Sequence, residues 1–76
     1  MERTFSYEIK EHIATLSHIG DTTKELNRIS YNGSPAKYDL RSWRRTDGED
    51  RLLKGLTLND EEAAALRDAL NSIEGL

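Results

Sequence analysis

From Thr4 to Leu16 the chain first alternates strictly: Phe5, Tyr7 and Ile9 are separated by Ser6 and Glu8. A period of two predicts a strand with one half-buried face. The phase slips after Ile9, because Ile13 keeps the odd register and Leu16 does not. A bulge between Lys10 and Ala14 is the expected cause. Ser17 to Thr23 is turn-rich, with Gly20-Asp21 at its centre. Lys24 to Tyr31 reads as a second strand in which neither face is cleanly apolar. Asn32-Gly33 suits a tight hairpin, but Pro35 removes a ladder donor just beyond it. A loop of about four residues is therefore expected there.

Ala36 to Arg45 alternates more clearly. Tyr38, Leu40 and Ser42 share one face, and Tyr38 and Leu40 are assigned to the core. Lys37, Asp39, Arg41, Trp43 and Arg45 share the other, which becomes the candidate working face. Thr46 to Asp50 reads as a polar loop, and Leu52 to Leu58 as a short last strand interrupted by Gly55. Asn59 to Glu74 has the strongest signature. Asn59 is a good N-cap, Glu62 completes a capping box, and Asp60, Glu61 and Glu62 complement the positive end of the helix dipole. Ala63, Leu66, Leu70 and Ile73 form one apolar stripe, and Gly75 is a natural stop. The order is four strands and then one helix, an α+β arrangement without linker or repeat.

With 76 residues, 36% of them hydrophobic, the chain is expected to be a single domain over residues 1–76 with a thin core. Cys is absent, so neither disulfides nor thiolate metal sites can supplement that core. Pairing of two chains can, so a homodimer is expected, with Leu66, Leu70 and Ile73 at its interface. No apolar run is long enough to span a bilayer, and the first ten residues carry no apolar leader segment. The default location is the cytoplasm, with the nucleoid as a candidate site within it.

The net charge of −3 conceals an asymmetry. From Asn59 onward five acids face one base, a balance of −4. From Lys24 to Arg45 six bases face two acids, a balance of +4. Such a patch attracts phosphate over about a Debye length, roughly 8–10 Å in physiological salt. The same segment holds the only Trp and two of the three Tyr. Trp43 between Arg41 and Arg45 on one strand face, with Tyr31 across a paired strand, suits single-stranded nucleic acid. Bases stack on aromatic rings and cations track the backbone. The competing reading is a solvated polar face.

Other candidates are weaker. His12 lies near Glu8 and Glu11 in the sequence, but no third group completes a metal site or a triad around it or His18. Neither Gly33 nor Gly55 has the strand–loop–helix setting of a phosphate loop. No catalytic residue, metal or cofactor is expected, and an enzyme is the weakest reading.

An ordered set of motifs then narrows the field. Lys24-Glu25-Leu26-Asn27, Ser30-Tyr31-Asn32-Gly33, Lys37-Tyr38-Asp39-Leu40-Arg41, Trp43, and Lys54-Gly55-Leu56-Thr57-Leu58 before Glu61-Glu62 follow one another. Glu11-His12-Ile13 and Leu16-Ser17 precede them. This set resembles the bacterial YdbC-type proteins, which are similar to the eukaryotic transcriptional coactivator positive cofactor four. The resemblance covers about residues 5 to 73. It implies four antiparallel, strongly curved strands followed by a helix, assembled as a homodimer. It also implies binding of single-stranded DNA with little sequence preference, in support of transcription, replication or repair. RNA is a further candidate ligand. By this resemblance Tyr31 and Trp43 match aromatic positions, and Lys24, Lys37 and Arg41 match basic ones. Arg28 and Arg44 join them on charge alone, and Arg45 as a neighbour of Trp43. The rival is a protein-interaction dimer of the same fold that has lost DNA binding. The acidic overall charge and the neutral Asn32 and Ser34 at the hairpin tip favour it.

Overall fold

A computed structural model describes residues 5–76; the expected strand start at Thr4 lies outside them. Four strands and a helix follow in order: β1 (Tyr7–Ile19), β2 (Thr22–Tyr31), β3 (Lys37–Thr46), β4 (Glu49–Leu58) and α1 (Asp60–Asn71). The strands form one antiparallel sheet in the order β1-β2-β3-β4. The predicted fold class is the observed one for the strands and helix.

The lost phase in β1 has a specific cause. Tyr7 pairs with Tyr31 and Ile9 with Ile29, and then the ladder skips three times, between Ile9/Glu11, His12/Ala14 and Thr15/Ser17. Lys10, Ile13 and Leu16 are the extra residues. The residues opposite the odd positions of β2 are therefore Ile9, His12, Thr15 and His18, a spacing of three instead of two. Each bulge adds bend and twist to its strand. Three in one 13-residue strand curl this side of the sheet strongly.

The turns are tighter than the composition of their surroundings suggests. Ile19 pairs with Thr22, which leaves only Gly20 and Asp21 in the first turn, with Gly20 at φ 61°. Thr46 pairs with Glu49, so the expected loop of five residues is a two-residue turn at Asp47-Gly48. Asp-Gly is itself a strong hairpin signal, and it outweighs the polar residues around it. Asn32 and Gly33 both take positive φ, 51° and 76°, and Ser34 N–H donates to the Tyr31 carbonyl at 2.9 Å. This is a tight turn, but Pro35 and Ala36 delay strand pairing until Lys37 meets Ile29. The connection thus spans five residues, against about four expected.

Gly55 does not interrupt β4. A Cβ there would lie 1.9 Å from Arg41 Cβ and 2.6 Å from Arg41 Cα, so the residue lets β4 press directly on the β3 backbone. Beside it the ladder passes from Arg41/Gly55 to Trp43/Leu52, and Leu53 and Lys54 together oppose Ser42. Arg41 Nη1 donates to the Leu53 carbonyl in this bulge at 3.1 Å.

The capping box forms as read. Asn59 Oδ1 accepts from Glu62 N–H at 2.7 Å, and Glu62 Oε1 accepts from Asn59 N–H at 2.9 Å. The helix ends at Asn71 instead of Glu74. Ser72 caps it, its hydroxyl donating to the Ala69 carbonyl at 2.7 Å, which competes with helix continuation. Ile73 therefore falls outside the regular stripe.

Burial reverses the expected core. Tyr38 and Leu40 are only half-buried, whereas Ile29, Trp43, Asn27 and Asp39 have no exposed surface. Helix α1 lies toward the opposite face, where Ala63, Leu66 and Leu70 line a groove with Leu26, Arg28, Tyr38 and Leu58. Among the described residues no element is layered over the Trp43 face. Its burial follows from the curl of the sheet, which turns that face inward and lets its own side chains fill it.

Candidate nucleic-acid interface

The inward, concave face is a polar network built around two carboxylates. Asp39, with no exposure, accepts from Arg41 Nε at 2.6 Å, Arg41 Nη2 at 2.8 Å and Tyr31 Oη at 2.7 Å. Glu25, 4% exposed, accepts from Arg45 at 2.7 and 3.1 Å, from Asn27 Nδ2 at 3.2 Å and from the Thr23 hydroxyl. Burial is the largest single influence on Glu25 and pushes its carboxyl upward. The hydrogen bonds from Arg45, Thr23 and Asn27, with the Arg45 charge, outweigh it and hold the group at about 2, below its ordinary 4.5. Burial and the bond to Asp39 push the Tyr31 phenol up. Bonds to Asp39 and Glu25 strengthen the protonated state of Arg41 and Arg45 respectively.

His12 joins this network at its β1 edge. Its Nδ1 lies 2.6 Å from Asn27 Oδ1 and its Nε2 lies 3.2 Å from Thr15 Oγ1. Asn27 directs its amide NH2 at Glu25, so its oxygen faces His12 and accepts a hydrogen bond from Nδ1–H. Among the described residues no group of three or more His, Cys, Asp or Glu side chains is placed to hold a metal.

Trp43 must be reassigned. It does share the predicted face with Arg41 and Arg45, but the face is closed and its ring is fully buried. The ring packs against Tyr7, with centroids 5.6 Å apart, and the Arg45 guanidinium lies 4.3 Å from its centroid. The indole's stacking area is thus used internally, and Trp43 presents no π-face to a base. Its indole N–H has no acceptor among the described residues. Arg41 and Arg45 are on the predicted face too, but each is ion-paired with a buried carboxylate, at 2.6 and 2.7 Å. Arg45 also reaches Asp50 at 2.9 Å. Their charges are largely cancelled, so the +4 balance overstates what this segment offers to an anion.

The aromatic surface that remains open lies at the rim. Phe5, Tyr7 and Tyr31 form a triangle with centroids 6.0–6.5 Å apart, and Phe5 is 60% exposed. Tyr7 and Tyr31 are opposite each other in the ladder and half-exposed. The Arg41 guanidinium sits 5.7 Å from the Tyr31 centroid. Lys37, exposed and without an ion partner among the described residues, enters β3 two pairs away from Tyr31. Phe5 and Tyr7 were not among the sequence candidates. Their signal was alternation into Tyr7 on the strand that must pair with the Tyr31 end of β2, which only the register makes visible.

The remaining predicted residues sit elsewhere. Lys24, Arg28 and Arg44 occupy the even positions of β2 and β3 and face outward, on the convex side. Lys24 and Arg44 are exposed; Arg28 is half-buried, its guanidinium 5.4 Å from the Tyr38 ring centroid and its Nε without an acceptor among the described residues. The structure therefore divides the predicted set between two faces. Leu66, Leu70 and Ile73 are 39%, 43% and 53% exposed in the single chain. Among the described residues no helix is long and apolar enough to cross a membrane.

Comparison with known proteins agrees with this architecture. A relative from Treponema pallidum (strain Nichols), an uncharacterized protein, is 44% identical over 70 residues, spanning 91% of this chain and 80% of its own. The family model of Transcriptional Coactivator p15 (PC4) matches residues 19–69, a span that runs from the first hairpin turn through the capped helix. A curled four-stranded antiparallel sheet followed by one capped helix, carrying that family's sequence pattern over two thirds of its length, places this chain in the Transcriptional Coactivator p15 (PC4) family.

Proposed function

We propose that this protein is a non-enzymatic single-stranded-DNA-binding protein that works as a homodimer. The observation that carries the reading is the partly exposed Phe5–Tyr7–Tyr31 triangle, in a member of the coactivator family, with Lys37, unpaired among the described residues, nearby. Bases that are free of a duplex stack on such rings, each contributing about 1–3 kcal/mol, and duplex bases cannot reach them. Trp43, Arg41 and Arg45 act one step behind. They hold Tyr7 and Tyr31 in place, Trp43 by packing on Tyr7 and Arg41 through Asp39, the acceptor of the Tyr31 hydroxyl. Lys24, Arg28 and Arg44 belong to the outward face. The exposed Leu66, Leu70 and Ile73 side chains supply the surface that a second copy covers.

The rival is a dimer that binds protein partners only. The pairing of Arg41 and Arg45 with buried carboxylates favours it, because those charges are spent inside the fold. Anisotropy of a labelled oligo-dT and of a matching duplex separates the two. Tight binding of oligo-dT with weak duplex binding at low salt is expected; equal or absent binding to both favours the rival. Light scattering at micromolar concentration is expected to give twice the 8.7 kDa chain mass, and a monomer mass contradicts the dimer.

A further inference from the structure

Asn32 ties the tip of the β2–β3 hairpin to the residues that lead into β1. Its N–H donates to the Ser6 carbonyl at 2.9 Å, and its Oδ1 accepts from Ser6 N–H at 2.9 Å. The side-chain carbonyl thus stands in for a backbone carbonyl and prolongs the β1–β2 ladder by one pair beyond Tyr7/Tyr31. This pair holds the neighbouring Phe5 ring over the hairpin, with its centroid 6.0 Å from that of Tyr31.

The same residue can react with its own backbone. A side-chain amide carbon is an electrophile, and the backbone nitrogen of the next residue is the nucleophile that closes a ring on it. Burial, a hydrogen bond on that nitrogen or a bulky next residue normally prevents this. Three of the four Asn residues are protected in one of these ways. Asn27 is fully buried, and Arg28 after it lies in the ladder. Asn59 is held by both bonds of the capping box. Asn71 precedes Ser72, whose N–H donates to the Asp68 and Ala69 carbonyls at 3.1 and 3.2 Å. Asn32 lacks these protections. It and Gly33 are exposed, and Gly33 N–H has no acceptor among the described residues. A Cβ added to Gly33 would meet nothing within 4 Å, so that nitrogen is also uncrowded. Among the described residues the bond from Ser6 is the one restraint on the Asn32 amide.

We infer that Asn32 is a site of spontaneous covalent modification, and that its conversion releases the Phe5 end of β1 from the hairpin. Hydroxide takes the Gly33 N–H proton, and the nitrogen bonds to Asn32 Cγ. The bond from Cγ to the side-chain NH2 breaks, and that group takes a proton and leaves as ammonia. Water then opens the resulting succinimide at either carbonyl, giving an aspartyl or an isoaspartyl residue. One water is consumed, one ammonia is released, and no electrons are exchanged. Attack on Cγ requires the amide to swing away from Ser6, so the Ser6 bond gates the step. In the isoaspartyl product the main chain runs through the former side-chain methylene. The turn with positive φ at positions 32 and 33 and the pairing with Ser6 are then lost together. A neutral tip also gains a carboxylate beside Tyr31. The chemical step is independent of the single-stranded-DNA reading; its effect on DNA binding rests on that reading.

Incubation of the folded protein in warm, mildly alkaline buffer tests the step, read by peptide mass mapping. The peptide containing Asn32 is expected to exchange NH2 for OH before those containing Asn27, Asn59 or Asn71. Ser6→Pro, which lacks the gating N–H, is expected to convert faster. Retention of the Asn32 amide under conditions in which the urea-unfolded protein converts, or earlier conversion at Asn71, overturns the site. The isoaspartyl fraction, separated by its added charge, is expected to show faster hydrogen exchange at Ser6 N–H than the unconverted protein. Wild-type exchange in that fraction overturns the release of Phe5. Asn32→Asp keeps an acceptor for Ser6 N–H and is expected to retain slow exchange there. Oligo-dT binding is a separate readout, in which the isoaspartyl fraction is expected to bind more weakly than the unconverted protein. Equal binding overturns the link to the rim. Failure of the unconverted protein to bind overturns the functional reading and leaves the mass and exchange results to decide the modification.

Discussion

The two faces of the central strands have opposite chemistry and opposite burial. The concave face holds Glu25, Asn27, Asp39 and Trp43, and it is closed. The convex face holds Leu26, Leu40 and Leu56, and it is half open, with Leu56 51% exposed. Hydrophobicity alone predicts the reverse. Curvature decides instead: with Lys10, Ile13 and Leu16 bulged out of β1, the sheet rolls toward its polar side. The polar groups tolerate this because each carboxylate is fully engaged, Asp39 by Arg41 and Tyr31, Glu25 by Arg45, Thr23 and Asn27. A paired interior of this kind fixes one geometry and leaves the apolar face half open.

That contrast can be broken most severely from inside. Asp39→Ala leaves Arg41, whose side chain is 14% exposed, without its counter-charge, and the Tyr31 hydroxyl without its acceptor. Removing one partner of a buried pair costs about 3–5 kcal/mol. Urea denaturation is the check, and the same truncation at exposed Lys37 is expected to stay within roughly 0.5 kcal/mol. Trp43→Ala belongs with the large effects. It removes a fully buried ring and is expected to cost about 3–5 kcal/mol of folding stability. A variant that folds normally and loses only oligo-dT affinity would restore Trp43 to the site.

Gly55→Ala comes next. The added methyl meets the β3 backbone, which cannot step aside as a flexible side chain does, and overpacking of this kind costs about 1–3 kcal/mol or more. The expected readout is a thermal midpoint lower by several degrees, since about 1 kcal/mol shifts a domain of this size by roughly 4–8 °C.

The Glu25 network sets an acid limit. Its carboxyl is held at about 2, below its ordinary 4.5. The folded state therefore binds the proton less well than the unfolded chain, and the stabilisation is fully present above 4.5. It is lost as pH falls from about 4.5 toward 2. In Glu25→Gln this part of the pH dependence is expected to vanish, with a lower stability at neutral pH. An unchanged acid profile would remove Glu25 from the account.

The smallest effects are at the rim. Phe5→Ala is expected to weaken oligo-dT binding by about 1–3 kcal/mol, without a comparable loss of stability, because the ring is mostly exposed. Lys37→Gln is expected to change affinity least and to make the salt slope shallower by about 0.7.

Much of this was legible in the residues. Asn59 and Glu62 announced the helix start, and the alternation of β3 correctly grouped Arg41, Trp43 and Arg45 on one face. Which face closes was not legible, because alternation reports sidedness and not curvature. The bulges that set the curvature replace a period of two by a period of three, and so resemble noise in β1. Pairing of Arg41 with Asp39 and of Arg45 with Glu25 was likewise invisible to charge arithmetic: one pair lies two residues apart and the other twenty. Phe5 and Tyr7 became site candidates only once the register set Tyr7 opposite Tyr31.

The single Trp makes the central claim directly measurable. Acrylamide quenching of Trp43 fluorescence, with and without saturating oligo-dT, reports whether the ring is a floor or a platform. The account predicts blue-shifted emission, weak quenching in the free protein, and little further protection on binding. Free access of acrylamide to Trp43, abolished by oligo-dT, would contradict it.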